Sequence, residues 1–325
     1  MDNILVTGGA GFIGSHLAQR LLQEGKRLAI VDNLDDYYPA ELKRANLEEV
    51  RASGEFQFFP TDIRDAEKLR MVFTAFKPDA VIHLAARPGV RLSFAQPEAY
   101  TSINVLGTTQ VLEISRQCGV GRLVFASSSS VYGHSSRAPF REDAAIAHPL
   151  SIYAATKVAG EAVAFTYSHS YAISVVCLRL FTAYGPRQRP DLAIRKFAHL
   201  IMEGEEVPIF GDGSLERDYT YIDDIVEGIV RALDFAGGFE VFNLGNSHPV
   251  RIDAMVDALA QALGKRARRK YIPTPAGEMR LTHADLTRAR EALGYSPKVG
   301  FDEGIRRFAE WLKARHSPHT HFSSS

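Results

Sequence analysis

Short apolar runs recur along the first three-quarters of the chain: NILVT at 3–7, RLAIVD at 27–32, FQFF at 56–59, DAVIHL at 79–84, RLVFAS at 122–127, ISVVCLRL at 173–180 and EVFNL at 240–244. They are rich in β-branched residues and mostly run apolar without alternation. Strands covered on both faces of a parallel sheet read this way. Helix-length segments separate them at 12–24, 65–76, 98–117, 152–170, 192–203 and 222–235. The alternation predicts an α/β fold with a doubly wound parallel sheet. After about residue 180 the pattern fragments into GPRQRPD, GEEVPIFGDGS and YIPTPAGEMR, and helical patterns at 252–263 and 302–315 close the chain.

The fragmentation suggests a division: a dinucleotide-binding Rossmann domain over 1–180, and a smaller mixed α/β C-terminal lobe over 181–316 that binds substrate. Strand 240–244 is expected to return to the first sheet. The segment 317–325 is read as a disordered tail, its histidines as part of a frayed end rather than a metal site.

Lys plus Arg and Asp plus Glu both total 38, so no bulk field attracts nucleic acid or an anionic membrane. Apolar residues make up 46%, enough for a sizeable core, yet no run approaches the ~18 residues of a membrane span. The start of the chain lacks a basic region followed by a long apolar stretch, so no signal peptide is expected. Cys118 and Cys177 are read as reduced, semi-buried residues of a cytoplasmic protein.

The first strand pattern runs into Thr7-Gly8-Gly9-Ala10-Gly11-Phe12-Ile13-Gly14 and a helix pattern follows. Glycines permit a tight turn and close approach to a pyrophosphate, and a helix N-terminus supplies N–H groups. The motif alone is weak; its place between strand and helix strengthens it. Asp32 ends the second strand pattern, 18 residues after Gly14. A carboxylate there accepts the adenosine ribose hydroxyls and repels a 2′-phosphate, which favours NAD over NADP. Asp62 is a candidate neighbour of the adenine, or a helix-cap residue.

Tyr153 and Lys157 stand four apart on a helix pattern and share one face. The serine run Ser127-Ser128-Ser129-Ser130 lies upstream, at the end of the fifth strand pattern. Together with TGGAGFIGSHL, HLAA, FASSSSVYG, YAATK, FTAYGPRQRPD and RDYTYIDD, these features make the chain resemble the extended short-chain dehydrogenase/reductases that epimerise or dehydrate sugar nucleotides. The resemblance covers nearly the whole chain. It implies Ser128, Tyr153 and Lys157 as the catalytic group. Gly8, Gly11, Phe12, Ile13, Gly14, Asp32, Asn33, Asp62, Ile63, Leu84, Ala85 and Ala86, with Tyr153 and Lys157, would line the NAD site. Lys157 and the nicotinamide charge are expected to lower the tyrosine's pKa, so that Tyr153 takes a hydroxyl proton while hydride leaves the same carbon.

The family's 4,6-dehydratases carry Asp-Glu directly after the catalytic hydroxyl, and its decarboxylases carry a Glu at the second of these positions. Here Ser129 and Ser130 stand there. Oxidation and re-reduction at one carbon remain, that is, epimerisation. The stretches Arg87 to Ser93 and Phe181 to Asp191 resemble UDP-glucuronate 4-epimerases, although Ala183 replaces an expected valine. By that resemblance Arg189, with Thr182 and Ser127, would hold the sugar carboxylate, and Ser128 and Ser129 would also face the substrate. Arg217 and Arg280 would clamp the diphosphate, and Glu278 would accept the uridine ribose hydroxyls. A neutral UDP-sugar 4-epimerase, a net NAD-consuming dehydrogenase and a non-catalytic NAD-binding protein remain open. His83 is expected to be a satisfied core histidine and Asp218, Asp223 and Asp224 to cap the 222–235 helix. The helices at 98–117 and 152–170 often pair in such families, which implies a homodimer.

Overall fold

The structure is a computed structural model that describes residues 1–133, 137–275 and 277–316. The segment expected to be a disordered tail, 317–325, lies outside the described residues. The strands in chain order are β1 (Asn3–Thr7), β2 (Arg27–Val31), β3 (Gln57–Phe59), β4 (Ala80–His83), β5 (Arg122–Ser128), β6 (Ser174–Leu180), β7 (Thr182–Tyr184), β8 (Glu206–Phe210), β9 (Glu216–Tyr221), β10 (Phe239–Leu244), β11 (Pro249–Arg251) and β12 (Arg268–Ile272). Seven of them form one sheet in the order β10-β6-β5-β4-β1-β2-β3, with every pair parallel. All seven apolar runs read from the sequence are in it, within one or two residues of their expected bounds.

The unbroken apolar runs have a simple cause. Successive side chains of a strand point to opposite faces. In β1, Ile4 and Val6 enter one core and Leu5 the other, and all three are fully buried. In β6, Val176 and Leu178 divide from Val175 and Cys177 in the same way. Each such side chain contributes roughly 1.5–3 kcal/mol of burial, so a polar residue at any of these positions is costly. Of the two cysteines, Cys177 is buried and Cys118 is exposed, not semi-buried as expected, and both are free.

The order of strands reverses between β1 and β4, and ligands of open α/β sheets bind in the crevice at that point. The expected helix over 98–117 is divided: a short helix at Pro97–Thr101, a π turn at Ser102–Leu106, then a helix at Gly107–Gln117. Three helices went unread, Ala40–Arg51, Val90–Ala95 and Thr287–Leu293. Beyond β6, β11, β9 and β7 make a three-stranded sheet and β12 pairs with β8. β10 lies parallel to β6, from Phe239 opposite Val175 to Leu244 opposite Leu180.

Asp218, within β9, and Asp224, after it, act differently from the expected caps. The Ile222–Asp234 helix has no side-chain N-cap. Asp218 is fully buried and accepts N–H bonds from Asn246, Ser247 and Ala284 at 2.7, 3.0 and 2.9 Å. Asp224 accepts those of Lys298 and Val299. These carboxylates pin distant loops to β9 and to the Ile222–Asp234 helix.

Candidate active site

A cavity of about 480 Å³ opens along the C-terminal ends of β1, β2, β4, β5 and β6. Its floor is the glycine turn. Gly8 has φ +73°, and a Cβ there would meet the Ala85 nitrogen at 2.7 Å, across the switch between β1 and β4. A Cβ on Gly14 would sit 2.2 Å from the Gly8 carbonyl oxygen. Only glycine lets the turn, the helix and β4 come this close. The Phe12–Gln23 helix starts without a side-chain cap, so its first N–H groups face the cavity end of the helix. Nearby, the Tyr38 hydroxyl is buried without a hydrogen-bond partner and lies about a van der Waals contact from where a Gly11 Cβ would be. A donor of this kind beside an uncapped helix start suits a pyrophosphate.

Asp32 is buried at the end of β2, and its carboxylate accepts the N–H groups of Ala10 and Leu34 at 3.1 and 2.9 Å. Burial pushes its pKa up, and Lys43 and those two N–H groups oppose the shift. Asp62 is held by Asn33 and by Arg64, whose hydrogen bond lowers its pKa. Neither carboxylate caps a helix. With Ile63, Leu84, Ala85 and Ala86, these residues line the same cavity as the glycine turn, a set that fits a dinucleotide with an unmodified ribose.

Ser128, Tyr153 and Lys157 meet at the far end. Ser151 caps the Ile152–Tyr171 helix through the Ala154 N–H at 3.1 Å, and the helix delivers Tyr153 and Lys157 to one face. The serine run divides its labour. Ser127 donates to the buried Glu161, which also pairs with Arg179 at 3.0 and 2.9 Å. Ser127 lines the cavity, but its proton turns away from it. Ser128 accepts the Ser130 N–H at 3.2 Å and so caps the 3₁₀ turn Ser129–Tyr132. Ser129 and Ser130 line the cavity with it.

The electrostatics differ from the expectation at one point. Lys157 donates to the Ala126 carbonyl at 2.7 Å, with its nitrogen 6.0 Å from the Tyr153 ring centre. Burial pushes Lys157 down to about 8, against the pull of Glu161. Burial also raises Tyr153, and what opposes it is a hydrogen bond with Ser128 and the charge of Arg189, not Lys157. His83 is the expected core histidine. It bonds Thr7 and Thr108 at 2.7 and 3.0 Å, and burial holds its pKa down to about 3.

Thr182, Arg189 and Glu278, all beyond β6, also line the cavity. Arg189 is locked to Asp191 through Nε and Nη2 at 3.0 and 3.1 Å, which leaves the Nη1 end of the guanidinium for a ligand. Burial lowers its pKa, and the Asp191 bond more than reverses this. Glu278 is paired with Arg217 and, at 3.8 Å, with Arg91. Arg217 therefore reaches the cavity wall only through Glu278, and Arg280 is exposed outside the lining. The sequence reading gave no site role to Asp35, Tyr37, Tyr38, Lys43 or Arg87, all of which line the cavity. The signals for them were an aromatic pair embedded among acids after Asp32 and, for Arg87, its place in the Arg87 to Ser93 stretch.

A family model described as GDP-mannose 4,6 dehydratase matches residues 5–308. The UDP-glucuronate 4-epimerase of Thermodesulfobacterium geofontis is 41% identical over 314 residues, 96% of this chain and 97% of that protein. The crystal structure of UDP-glucuronic acid 4-epimerase from Bacillus cereus in complex with UDP-glucuronic acid and NAD superposes with a TM-score of 0.91 at 37% identity, covering 96% of this chain and 99% of that one. UDP-glucose 4-epimerase from Thermotoga maritima, with UDP-glucose, gives 0.90 at 34% identity over 97% and 100%. The chain belongs to the GDP-mannose 4,6 dehydratase family of the extended short-chain dehydrogenase/reductases.

Proposed function

We propose that this protein is an NAD-dependent UDP-glucuronate 4-epimerase that forms UDP-galacturonate. The observation that carries the reading is one cavity in which Ser128, Tyr153 and Lys157 stand between a dinucleotide cradle and Arg189. The similarity to UDP-glucuronate 4-epimerases along nearly the whole chain supports it. The family model is described by a dehydratase, but Ser129 and Ser130 can serve neither as the acid nor as the base that an elimination needs.

Asp32 and Asn33 would hold the adenosine ribose, and the Gly8–Gly14 turn with Tyr38 the pyrophosphate. NAD, when bound, supplies the hydride acceptor and donor and places positive charge beside the Tyr153 phenol. Ser128 orients the sugar hydroxyl at carbon 4, and Tyr153 takes its proton and later returns one. Lys157, fixed by the Ala126 carbonyl, keeps a cation within reach of this corner. The 4-keto sugar is a β-keto acid and loses carbon dioxide when its carboxylate bond aligns with the carbonyl π system. Arg189 and Thr182 hold the carboxylate out of that alignment, with charge-assisted bonds from the guanidinium. Arg217 acts on the nucleotide side through Glu278.

The similar structure with UDP-glucose supports a second reading, a neutral UDP-hexose epimerase, and Ala183 leaves room for it. Incubating purified protein with UDP-glucuronate, UDP-glucose or UDP-N-acetylglucosamine and following the anomeric protons by NMR separates the two. UDP-galacturonate without net NADH is the expected result. UDP-pentose would mean decarboxylation, and conversion of the neutral sugars alone would remove the carboxylate role of Arg189.

Leu106, Phe165 and Tyr171 are about half exposed on the segments 102–117 and 152–171. An apolar surface there supports a homodimer through these helices. Among the described residues no helix is long and apolar enough to cross a membrane, and a cytoplasmic site of action fits the two free cysteines.

A further inference from the structure

The segment after β2 crosses the cavity from one functional end to the other. It begins at Asp32, whose Oδ1 accepts the Leu34 N–H, with Leu34 at φ +54°. A non-glycine residue in that region is held there by its surroundings. Asp35 then accepts the Tyr37 N–H at 2.8 Å and pairs with Arg87 at 3.4 Å, and its carbonyl receives Lys43 at 2.6 Å. The result is a braced turn that projects the Tyr37 side chain over the opening.

Tyr37 lands between two guanidinium groups. The Arg87 and Arg189 Cζ atoms each lie 5.6 Å from its ring centre. Its hydroxyl donates to Asp191 at 3.3 Å, the carboxylate that grips Arg189. Gly89, at φ +95°, makes room: a Cβ there would meet the Tyr37 hydroxyl at 2.6 Å. Tyr100 sits behind, its hydroxyl bonded to the Pro88 carbonyl and its ring edge-on to Tyr153 at 6.3 Å. The backbone of Arg87 is fixed as well, because the Asn104 side chain bonds both its N–H and its carbonyl, at 2.7 and 3.0 Å.

We propose that Asn33–Tyr38 is a strap that joins the cofactor end of the site to the acid-recognising end, with Tyr37 a positioning residue that sets Arg189. A free arginine side chain explores many rotamers, and ordering it on ligand binding weakens the complex. Asp191 fixes one edge of the guanidinium, and the Tyr37 ring covers it by a cation–π contact. What remains for a ligand is one end, presented in one orientation. Tyr37 therefore tunes selectivity for an acidic sugar without touching the nucleotide.

The inference rests on the UDP-glucuronate reading, and calorimetry on purified holoenzyme tests the two separately. Wild type is expected to bind UDP-glucuronate more tightly than UDP-glucose; equal affinities would overturn the acid reading and this inference with it. Given that preference, Tyr37→Leu is expected to weaken UDP-glucuronate by about 3- to 30-fold, the range of a cation–π contact. Its affinity for UDP and its content of NAD released on denaturation should stay at wild-type levels. Tyr37→Phe, which keeps the ring, should retain most of the acid preference. Equal weakening of UDP and UDP-glucuronate in Tyr37→Leu, or no change in either, would overturn the positioning role.

Discussion

The two ends of the cavity are built in different ways. The proposed catalytic corner stands on rigid elements: Ser128 ends a central strand, and Tyr153 and Lys157 lie on a capped helix of 20 residues. The end proposed to recognise the acid stands on loops, where Arg189 pairs with Asp191 and lies 5.6 Å from the Tyr37 ring centre. Chemistry at one carbon needs fixed distances, whereas choice among sugars is set by side chains that loops can exchange. On one scaffold, loops of this kind can change which sugar is bound, whereas exchanges at the Ser129 and Ser130 positions of the rigid corner would change the chemistry.

The sharpest way to break the contrast is at the rigid end. Tyr153→Phe should lower the epimerisation rate by about 10²- to 10⁴-fold, the usual worth of a general acid–base group, with folding and NAD content unchanged. Steady-state NMR and circular dichroism check it; an unchanged rate would remove Tyr153 from the chemistry, and no turnover in the wild type would favour a binding protein over an enzyme. At the loop end, Arg189→Ala should cost UDP-glucuronate about tenfold to a hundredfold in kcat/KM, the worth of a charged hydrogen bond. It should also increase UDP-pentose as a side product. No change in acid preference would remove Arg189 from recognition.

The cradle lies between these extremes. Gly14→Ala puts a Cβ against the Gly8 carbonyl oxygen at 2.2 Å, a backbone clash that no rotamer relieves. We expect about 1–3 kcal/mol of destabilisation in chemical denaturation and lost NAD retention. A smaller effect belongs to His83. Its folded pKa, about 3, lies below the ordinary 6.5, so between these values the unfolded chain binds a proton that the folded chain does not. Its contribution is therefore fully present above pH 6.5 and is lost as pH falls toward 3, about 2 kcal/mol by pH 5. Urea titrations at pH 7 and pH 5 should show this loss reduced in His83→Gln.

The same contrast governs what could be read from sequence. The seven sheet strands were legible because burial on both faces forces unbroken apolar runs, and the cradle because only glycine fits against β4 and the helix. The four-residue spacing of Tyr153 and Lys157 survives in any helix. The Ala40–Arg51 helix was missed because its buried face includes Lys43 and Asn46, which blurs the apolar stripe. β7, β8, β9, β11 and β12 were missed because they carry no unbroken apolar run and lie among Gly, Pro and charge. The strap was illegible for another reason: Tyr37 meets Arg87, Arg189 and Asp191 only where two distant segments converge on it. Likewise the direction of Ser127 depends on Glu161, which a linear reading cannot place opposite it.

The most direct test of the epimerase account is the fate of the hydrogen on carbon 4. UDP-glucuronate deuterated there is incubated with the holoenzyme and the product is read by NMR and mass spectrometry. The account predicts UDP-galacturonate that keeps its deuterium at carbon 4, because the same hydride leaves and returns within one closed site. Protium at that carbon taken up from water would contradict it.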